Sequence, residues 1–556
     1  MSVGLESARA LQTGPQPGPS AIDQLRSFEA RTRSAVARIS ERRLLAGIGT
    51  VATLASVVAT VLVYRTGNFA GSSQGDVFAH LLAARRVVDS ATPGFAQIGQ
   101  YWPPLFHVME VPFAAIGPLY RSGLAGSIPA MAAYVVGVLG AYRLGADLTG
   151  DRRSGLVAAF AYGANPNLLF VQSLPMMEST IAATHVWAAA SLAGFVRRPI
   201  LRGAISAGAW TALACWSHYA AWALPFYGAA VIAVVAYRRG FSRTRTEVHV
   251  LAYAGLGVFA ITLWLAWGFY LQHDPFYFLN TAASNPAAET QAAIAEATAN
   301  GESGAAAFFA GRQGNLAFAT LNYGLTVWHM IGPAAVALCV VVVAAALVRR
   351  VFIHPVGASA VTAAFVVAAL WAFGGALGSP AFADLSGLTD YARASNHNVR
   401  FGLYLVPLWA GVAALCAAHR LWRQSVVVAC VLATVVWFSM VASPFESLRG
   451  QDLAHQDQAR IAEELRGRYE GGRILIAQAG PGDRMIWLSG LDASQFITEA
   501  NHDLFARTVD DPRSVAWAVA VAGDDSVQVR SLRAAGFVPV VTLNKPPFRL
   551  SLWENT

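Results

Sequence analysis

Apolar residues gather into eleven long runs, near 44–64, 126–145, 154–173, 178–196, 203–217, 219–237, 249–270, 326–348, 355–378, 399–418 and 424–442. About 20 apolar residues suffice to cross a hydrocarbon core, so each run predicts a transmembrane helix. The stretch 203–237 also admits a different division. A further apolar segment, 103–119 (PPLFHVMEVPFAAIGPL), is short and holds four prolines and a Glu. It is expected to lie on the membrane surface or re-enter rather than cross. The first run is too long for a signal h-region and follows a long polar leader, so it reads as an uncleaved span. Within that leader, residues 1–20 are rich in Pro, Gly and Ser and predict disorder. Residues 21–43 predict a basic amphipathic helix. After 442 the pattern changes. Residues 454–470 predict a charged helix. RILIAQA, AWAVAVA and FVPVVTL predict short strands, with DSVQVRSLRAAG as a helix between the last two. The expected fold class is therefore an all-α polytopic membrane protein of about eleven spans with a small C-terminal α/β domain.

Composition agrees. Of 556 residues, 55% are hydrophobic and 13% charged, and the mean hydropathy is +0.45. A soluble domain carries about 25% charged residues. The pI near 9.5 does not point to nucleic acid, because the basic residues fall in short clusters between apolar runs instead of forming one patch. Those clusters set an orientation. With the N-terminus inside and 103–119 not crossing, Arg143, Arg152, Arg153, Arg197, Arg198, Arg202, Arg238, Arg239, Arg243, Arg245, Arg349, Arg350, Arg420 and Arg423 all fall on the cytoplasmic side. The expected organisation is a cytoplasmic tail (1–43), a membrane domain (44–442) and an extracytoplasmic domain (443–556). The GPGD at 480–483 reads as a turn, without the Gly-rich fingerprint of a nucleotide site. Cys215, Cys339, Cys416 and Cys430 lie in apolar runs and show neither metal spacing nor a disulfide framework.

The candidate chemistry lies on the predicted outer face. Asp76 follows the first span and starts VFAHLLAARRVV, whose apolar stripe and basic face suit a helix on the membrane surface. There Asp76 either caps that helix or does chemistry. Glu178 ends NPNLLFVQSLPMMES and opens a span. Carboxylates at membrane depth are costly and usually functional. Arg393, His397 and Arg400 precede the tenth span. A guanidinium matches phosphate oxygens bidentately, and as the bland alternative Arg400 is a snorkelling anchor. Tyr101 and His107 lie in GQYWPPLFHVMEVPF, as aromatic anchor and surface group or as ligand contacts. Acid together with a phosphate-binding cation suggests a lipid-phosphate substrate.

Four segments, GDVFAHLLAARRVVDS, YWPPLFHV, NPNLLFVQSLPMMES and NHNVRFGLYLVPL, together resemble the GT-C superfamily of integral-membrane glycosyltransferases. The likeness is to the protein O-mannosyltransferase and aminoarabinose transferase branch, and it covers residues 75–408. It rests on an acidic residue in the first outer loop (Asp76), the stretch Tyr101 to Leu105, the stretch Asn165 to Glu178, and Arg400 with Tyr404 and Pro407. It implies transfer of a sugar, with inversion, from a polyprenyl-phosphate donor to a glycan, lipid or protein acceptor at the outer face of a cell-envelope membrane, with Asp76 as general base. It also implies that Glu178 works beside Asp76, and that Tyr101, His107, His218, Arg393, His397 and Arg400 bind substrate.

Two departures matter. The family's paired first-loop acids are one here, in QGD. Its Arg-Tyr-acidic stretch after the fifth span is SHYAAW, with His218 in the place of the cation. The metal requirement therefore stays open: a divalent cation has no evident ligand set. His273 and Asp274 are candidate substitutes. The Ala-rich stretch after them reads as a lid or as a plain connector. A transporter or flippase of lipid-linked sugar, and a non-catalytic envelope scaffold, are the alternatives.

Overall fold

The computed structural model describes residues 38–65, 75–98, 101–280, 315–349, 354–373, 397–418, 421–440, 453–476, 481–521, 527–544 and 549–555, together with 24, 27 and 31. The expected lid, Arg393, and most of the leader lie outside the described residues.

The membrane domain begins with α1 (Glu41–Arg65), α2 (Gly75–Arg86), α3 (Leu105–Ala114), α4 (Gly117–Ser122) and α5 (Leu124–Thr149). Next come α6 (Arg152–Gly163), α7 (Pro166–Val171), α8 (Glu178–Arg197), α9 (Leu201–Ser217), α10 (Leu224–Arg238) and α11 (Arg243–Gln272). It ends with α12 (Leu316–Ile331), α13 (Pro333–Val348), α14 (His354–Phe373), a 3-10 segment (His397–Leu405) leading into α15 (Val406–Ala417), and α16 (Leu421–Met440). Among the described residues six helical segments are long and apolar enough to cross a membrane, or up to seven if the α12–α13 pair, bent by 113°, is one span. The other expected spans fall on the broken pair α6–α7 and on α9, α14 and α16. Helix α3 has ten residues, about 15 Å of length, and is too short to cross. Many apolar side chains on the crossing helices face outward, Val51, Leu54, Phe226 and Leu251 among them, as a lipid-facing surface requires.

Small residues bring the central helices close, as membrane helix interfaces favour. Gly145 of α5 approaches Gly155 and Ala158 of α6, and Gly140 of α5 approaches Val186 and Trp187 of α8. The break between α6 and α7 has a local cause. Pro166 stands at the first helical position of α7, and the Asn165 side chain accepts from Leu168 N at 3.0 Å, capping it. Asn165 and Asn167 also donate to the carbonyl of Met330 at 2.9 and 3.0 Å, beside the bend at Gly332, whose φ is +94°. Farther along, Gln172 and Ser173 bond Ser56 and Thr60 of α1, and Ser127 of α5 donates to the Ser173 carbonyl. The 171–180 stretch is wholly buried. The break is thus a polar seam met by protein groups inside the bundle.

The C-terminal domain comprises α17 (Leu453–Arg468), β1 (Ile474–Ile476), α18 (Pro481–Ser489), β2 (Phe496–Ile497), α19 (Asp503–Asp510), β3 (Trp517–Val521), α20 (Val527–Ala534), β4 (Phe537–Asn544) and β5 (Arg549–Asn555). Its sheet has the order β2-β1-β3-β5-β4, parallel from β2 to β3 and antiparallel from β3 to β4. One apolar cluster packs Ile461 and Leu465 of α17 on one sheet face, and another packs Val529 and Leu532 of α20 on the other. The three expected strands and the helix between the last two are present. The expected turn at 480–483 is instead the start of α18, because Pro481 suits the first position of a helix.

Candidate active site

Three residues far apart in sequence meet at one end of the bundle. Arg400 donates from Nε to Glu178 Oε1 and from Nη2 to Asp76 Oδ2. Glu178 opens α8, where the helix dipole favours a carboxylate. Asp76 lies in the first turn of α2. Arg400 comes from the 3-10 segment before α15, and its guanidinium stands over the Phe401 ring at 5.2 Å. Exposure separates the two acids: the Glu178 side chain is 1% exposed, Arg400 10% and Asp76 29%. Glu178 Oε2 is buried with no hydrogen-bond partner among the described residues.

His218 joins the cluster. Its Nδ1 accepts from Ala220 N at 3.1 Å, and its Nε2 lies 3.1 Å from the Tyr404 hydroxyl. A neutral imidazole that accepts at Nδ1 carries its hydrogen on Nε2. His218 therefore donates to the Tyr404 oxygen, and the Tyr404 O–H is left to donate elsewhere. His218 of SHYAAW thus orients the Tyr404 hydroxyl.

Other expected site residues lie around this cluster. His107 is buried on α3, and its Nε2 is 2.9 Å from Nδ1 of His80. Tyr101 donates to Glu499 of the C-terminal domain at 3.2 Å, and its carbonyl accepts from Tyr219 at 2.7 Å. His397 opens the 3-10 segment, and its side chain lies outside the described residues. Asp274 caps a single turn through Phe276 N and Asn280, and His273 is exposed. Among the described residues no group of three or more His, Cys, Asp and Glu side chains is placed to hold a metal ion.

Helix α2 is not the membrane-surface helix its pattern suggested. Phe78, Leu81 and Leu82 are all fully buried. Leu82 belongs to the apolar cluster of the C-terminal domain, and Phe78 packs on Trp487 of α18 at 5.2 Å, with Arg484 over its ring. On the basic side Arg86 pairs with Asp483 at 3.8 Å, and Arg85 pairs with Asp89 at 3.0 Å. Asp89 accepts from the backbone of Ala493 and Ser494, while Asn501 donates to Ser90 and Thr92. Burial would raise the Asp89 carboxyl, but the Ser494 bonds and the Arg85 guanidinium outweigh it and hold it below the usual range. Burial raises Asp483 despite Arg86. The C-terminal domain therefore covers the helix that carries Asp76.

Sequence reading did not single out His80. Its signal was the i, i+4 spacing from Asp76, which puts both on one helix face. Nor did it link the C-terminal Asp483 and Glu499 to the site.

At the opposite ends of α1, α5 and α8 lies an arginine network. Arg143 and Arg152 pair with Glu41 at 3.5 and 3.1 Å, and Arg143 and Arg197 pair with Asp147 at 3.0 and 3.6 Å.

No family model matches the chain, and no curated protein matches it. Among solved structures it is similar to the oligosaccharyltransferase AglB of Archaeoglobus fulgidus in complex with an inhibitory peptide and a dolichol-phosphate. That match has 13% identity and a TM-score of 0.45, and covers 93% of this chain and 74% of that one. It is also similar to ArnT from Cupriavidus metallidurans bound to undecaprenyl phosphate, with 14% identity, a TM-score of 0.43, and coverage of 90% of this chain and 98% of that one.

Proposed function

We propose that this chain is a GT-C-like integral-membrane glycosyltransferase. It moves a sugar from a polyprenyl-phosphate donor to an acceptor hydroxyl on the outer face, with inversion at the anomeric carbon. The observation that carries this reading is the Asp76–Arg400–Glu178 triad, one cation shared by two acids of unequal exposure. Asp76, the exposed acid, takes the acceptor's proton as the new C–O bond forms. The bond from the anomeric carbon to the phosphate oxygen breaks, and the polyprenyl phosphate leaves with its charge stabilised by Arg400 and the Tyr404 hydroxyl. Glu178, the buried acid, holds Arg400. A direct displacement inverts and needs no covalent intermediate. The arginine network at the far end supports a cytoplasmic placement there and so an outward-facing site.

The test uses full-length protein in nanodiscs with undecaprenyl-phosphate-linked [³H]mannose, glucose and 4-amino-arabinose. It follows release of undecaprenyl phosphate and transfer of label. Asn caps a helix about as well as Asp but cannot accept the proton. Asp76→Asn should fold and insert normally and lose about two to four decades of turnover. Full turnover in that variant overturns the reading of Asp76, and movement of the lipid across the membrane without transfer marks a transporter.

A further inference from the structure

Between α2 and the C-terminal domain lies a guanidinium that the fold leaves unbonded. Arg86 closes α2, with its side chain 12% exposed. Its Nε is buried without a hydrogen-bond partner among the described residues. Its ion-pair partner, Asp483, stands 3.8 Å from Nη1, beyond hydrogen-bond reach. A guanidinium presents five donors in a rigid fork, and buried donors left unmet are costly. Asp483 brings two acceptor oxygens to the same place and is 21% exposed. Two side chains of opposite sign, close but not bonded, leave their edges open to a group that both donates and accepts.

The rest of the seam has the same character. Asp483 lies in the first turn of α18, which follows β1, and Glu499 comes two residues after β2. Both therefore sit at the carboxyl ends of the parallel strands in β2-β1-β3. Open α/β sheets bind ligands outside those ends, where the strand order reverses. Here that edge faces the first loop. Glu499 accepts from the Tyr101 hydroxyl at 3.2 Å, and the Ala500 carbonyl accepts from Gln97 at 3.0 Å. Tyr277, from the turn after α11, lies nearly parallel to Tyr101, with ring centroids 6.5 Å apart and planes 23° off. Both tyrosines are half-buried, so aromatic surface stays open beside the carboxylates. Trp102 ties this wall to the helix of Asp76, its ring 4.4 Å from that of His80, one turn beyond Asp76.

We infer that this seam is an acceptor subsite for carbohydrate, with Arg86, Asp483 and Glu499 bonding the hydroxyls of one sugar unit and Tyr101 and Tyr277 lining its apolar face. Hydroxyls donate and accept at once, so a sugar meets the open fork of Arg86 and the oxygens of Asp483 together. A phosphate offers acceptors only and an ammonium donors only, and each leaves one of the pair unmet. Asp76 and Arg86 are ten positions apart on α2, about 15 Å along its axis. The subsite thus holds a sugar remote from the hydroxyl that reacts, and the acceptor is an oligosaccharide chain. Contacts to such a remote unit supply binding energy that orients the reacting end. This rests on the reading of the chain as a transferase with Asp76 as base.

Saturation-transfer NMR on the full-length protein in nanodiscs reads binding without donor or turnover. The probes are linear tetrasaccharides of mannose, glucose, galactose and arabinose, with a Thr-Ser hexapeptide as the rival acceptor class. At least one tetrasaccharide binds, and its Kd rises about 10- to 100-fold in Arg86→Ala and in Asp483→Asn, the worth of hydrogen bonds to a charged group. Arg86→Lys keeps the ion pair but not the fork and loses most of the binding, which a pair that only holds the domain in place would not show. In transfer assays with that tetrasaccharide as acceptor, these variants raise acceptor KM more than they lower kcat, whereas Asp76→Asn lowers kcat and binds the tetrasaccharide as wild type does. Full turnover in Asp76→Asn removes the base reading and leaves the binding result standing. Binding of none of the four sugars, binding of the hexapeptide instead, or wild-type affinity in both Arg86→Ala and Asp483→Asn overturns the inference.

Discussion

Arg400→Ala is the most informative single perturbation of the triad. It leaves Glu178, 1% exposed, in a site with no partner for either oxygen, since Oε2 has none already. Removing one member of a buried ion pair costs about 3–5 kcal/mol, because the remaining charge is uncompensated. Asp76 should contribute little to that loss, because 29% of its side chain is exposed and water replaces the guanidinium. Adding Glu178→Gln removes the stranded charge and leaves an imperfectly bonded amide, which costs about 1–3 kcal/mol. The double variant should therefore be more stable than Arg400→Ala, with a coupling energy of about 2 kcal/mol in the cycle. The assay is SDS titration in mixed micelles, read by tryptophan fluorescence, for wild type, both single variants and the double. Donor turnover is measured on the same samples and should stay lost in the double variant, because the phosphate contact is gone. Additive stability effects, within about 0.5 kcal/mol, would show that Glu178 and Arg400 are not a working pair.

Gly126→Ala should destabilise by about 1–3 kcal/mol in the same titration. Its new methyl would collide with Glu110 Oε1 and with Pro175 Cβ and Cα. Stability should also fall in acid. His80 has a folded value of about 4 against 6.5 unfolded, so above pH 6.5 the imidazole is neutral in both states and contributes no slope. Below that the unfolded chain binds a proton that the folded chain refuses, and stability drops toward pH 4 by up to about 1.4 kcal/mol per pH unit. A His80→Ala protein with the same slope would refute the assignment.

The site acids were legible because a carboxylate or guanidinium at the end of an apolar run is rare and conspicuous. Asp76, Glu178 and Arg400 needed only a common face to meet. The role of α2 was not legible. Its apolar stripe reads the same whether lipid or protein covers it, and the cover is Trp487 and Leu465, some 400 positions away. The partner of Tyr101 was not legible for the same reason, since it is Glu499. Strand β5 was missed because RLSLWEN is short and charged at both ends. It is buried on both faces only because β3 and β4 flank it and helices cover the sheet.

The clamp between the first loop and the last domain also sets an order of assembly. Tyr101 and Glu499 are 398 residues apart, and Ser90 and Asn501 411. A chain emerging at about 5–20 residues per second makes α2 roughly 20–80 s before the domain that covers it exists. During that interval Leu82 lacks the apolar cluster it joins, and Asp76 waits for Arg400, whose segment is made later still than α8. The cover over α2 is complete only when the carboxyl-terminal domain folds, so a chain truncated before that domain leaves the helix uncovered.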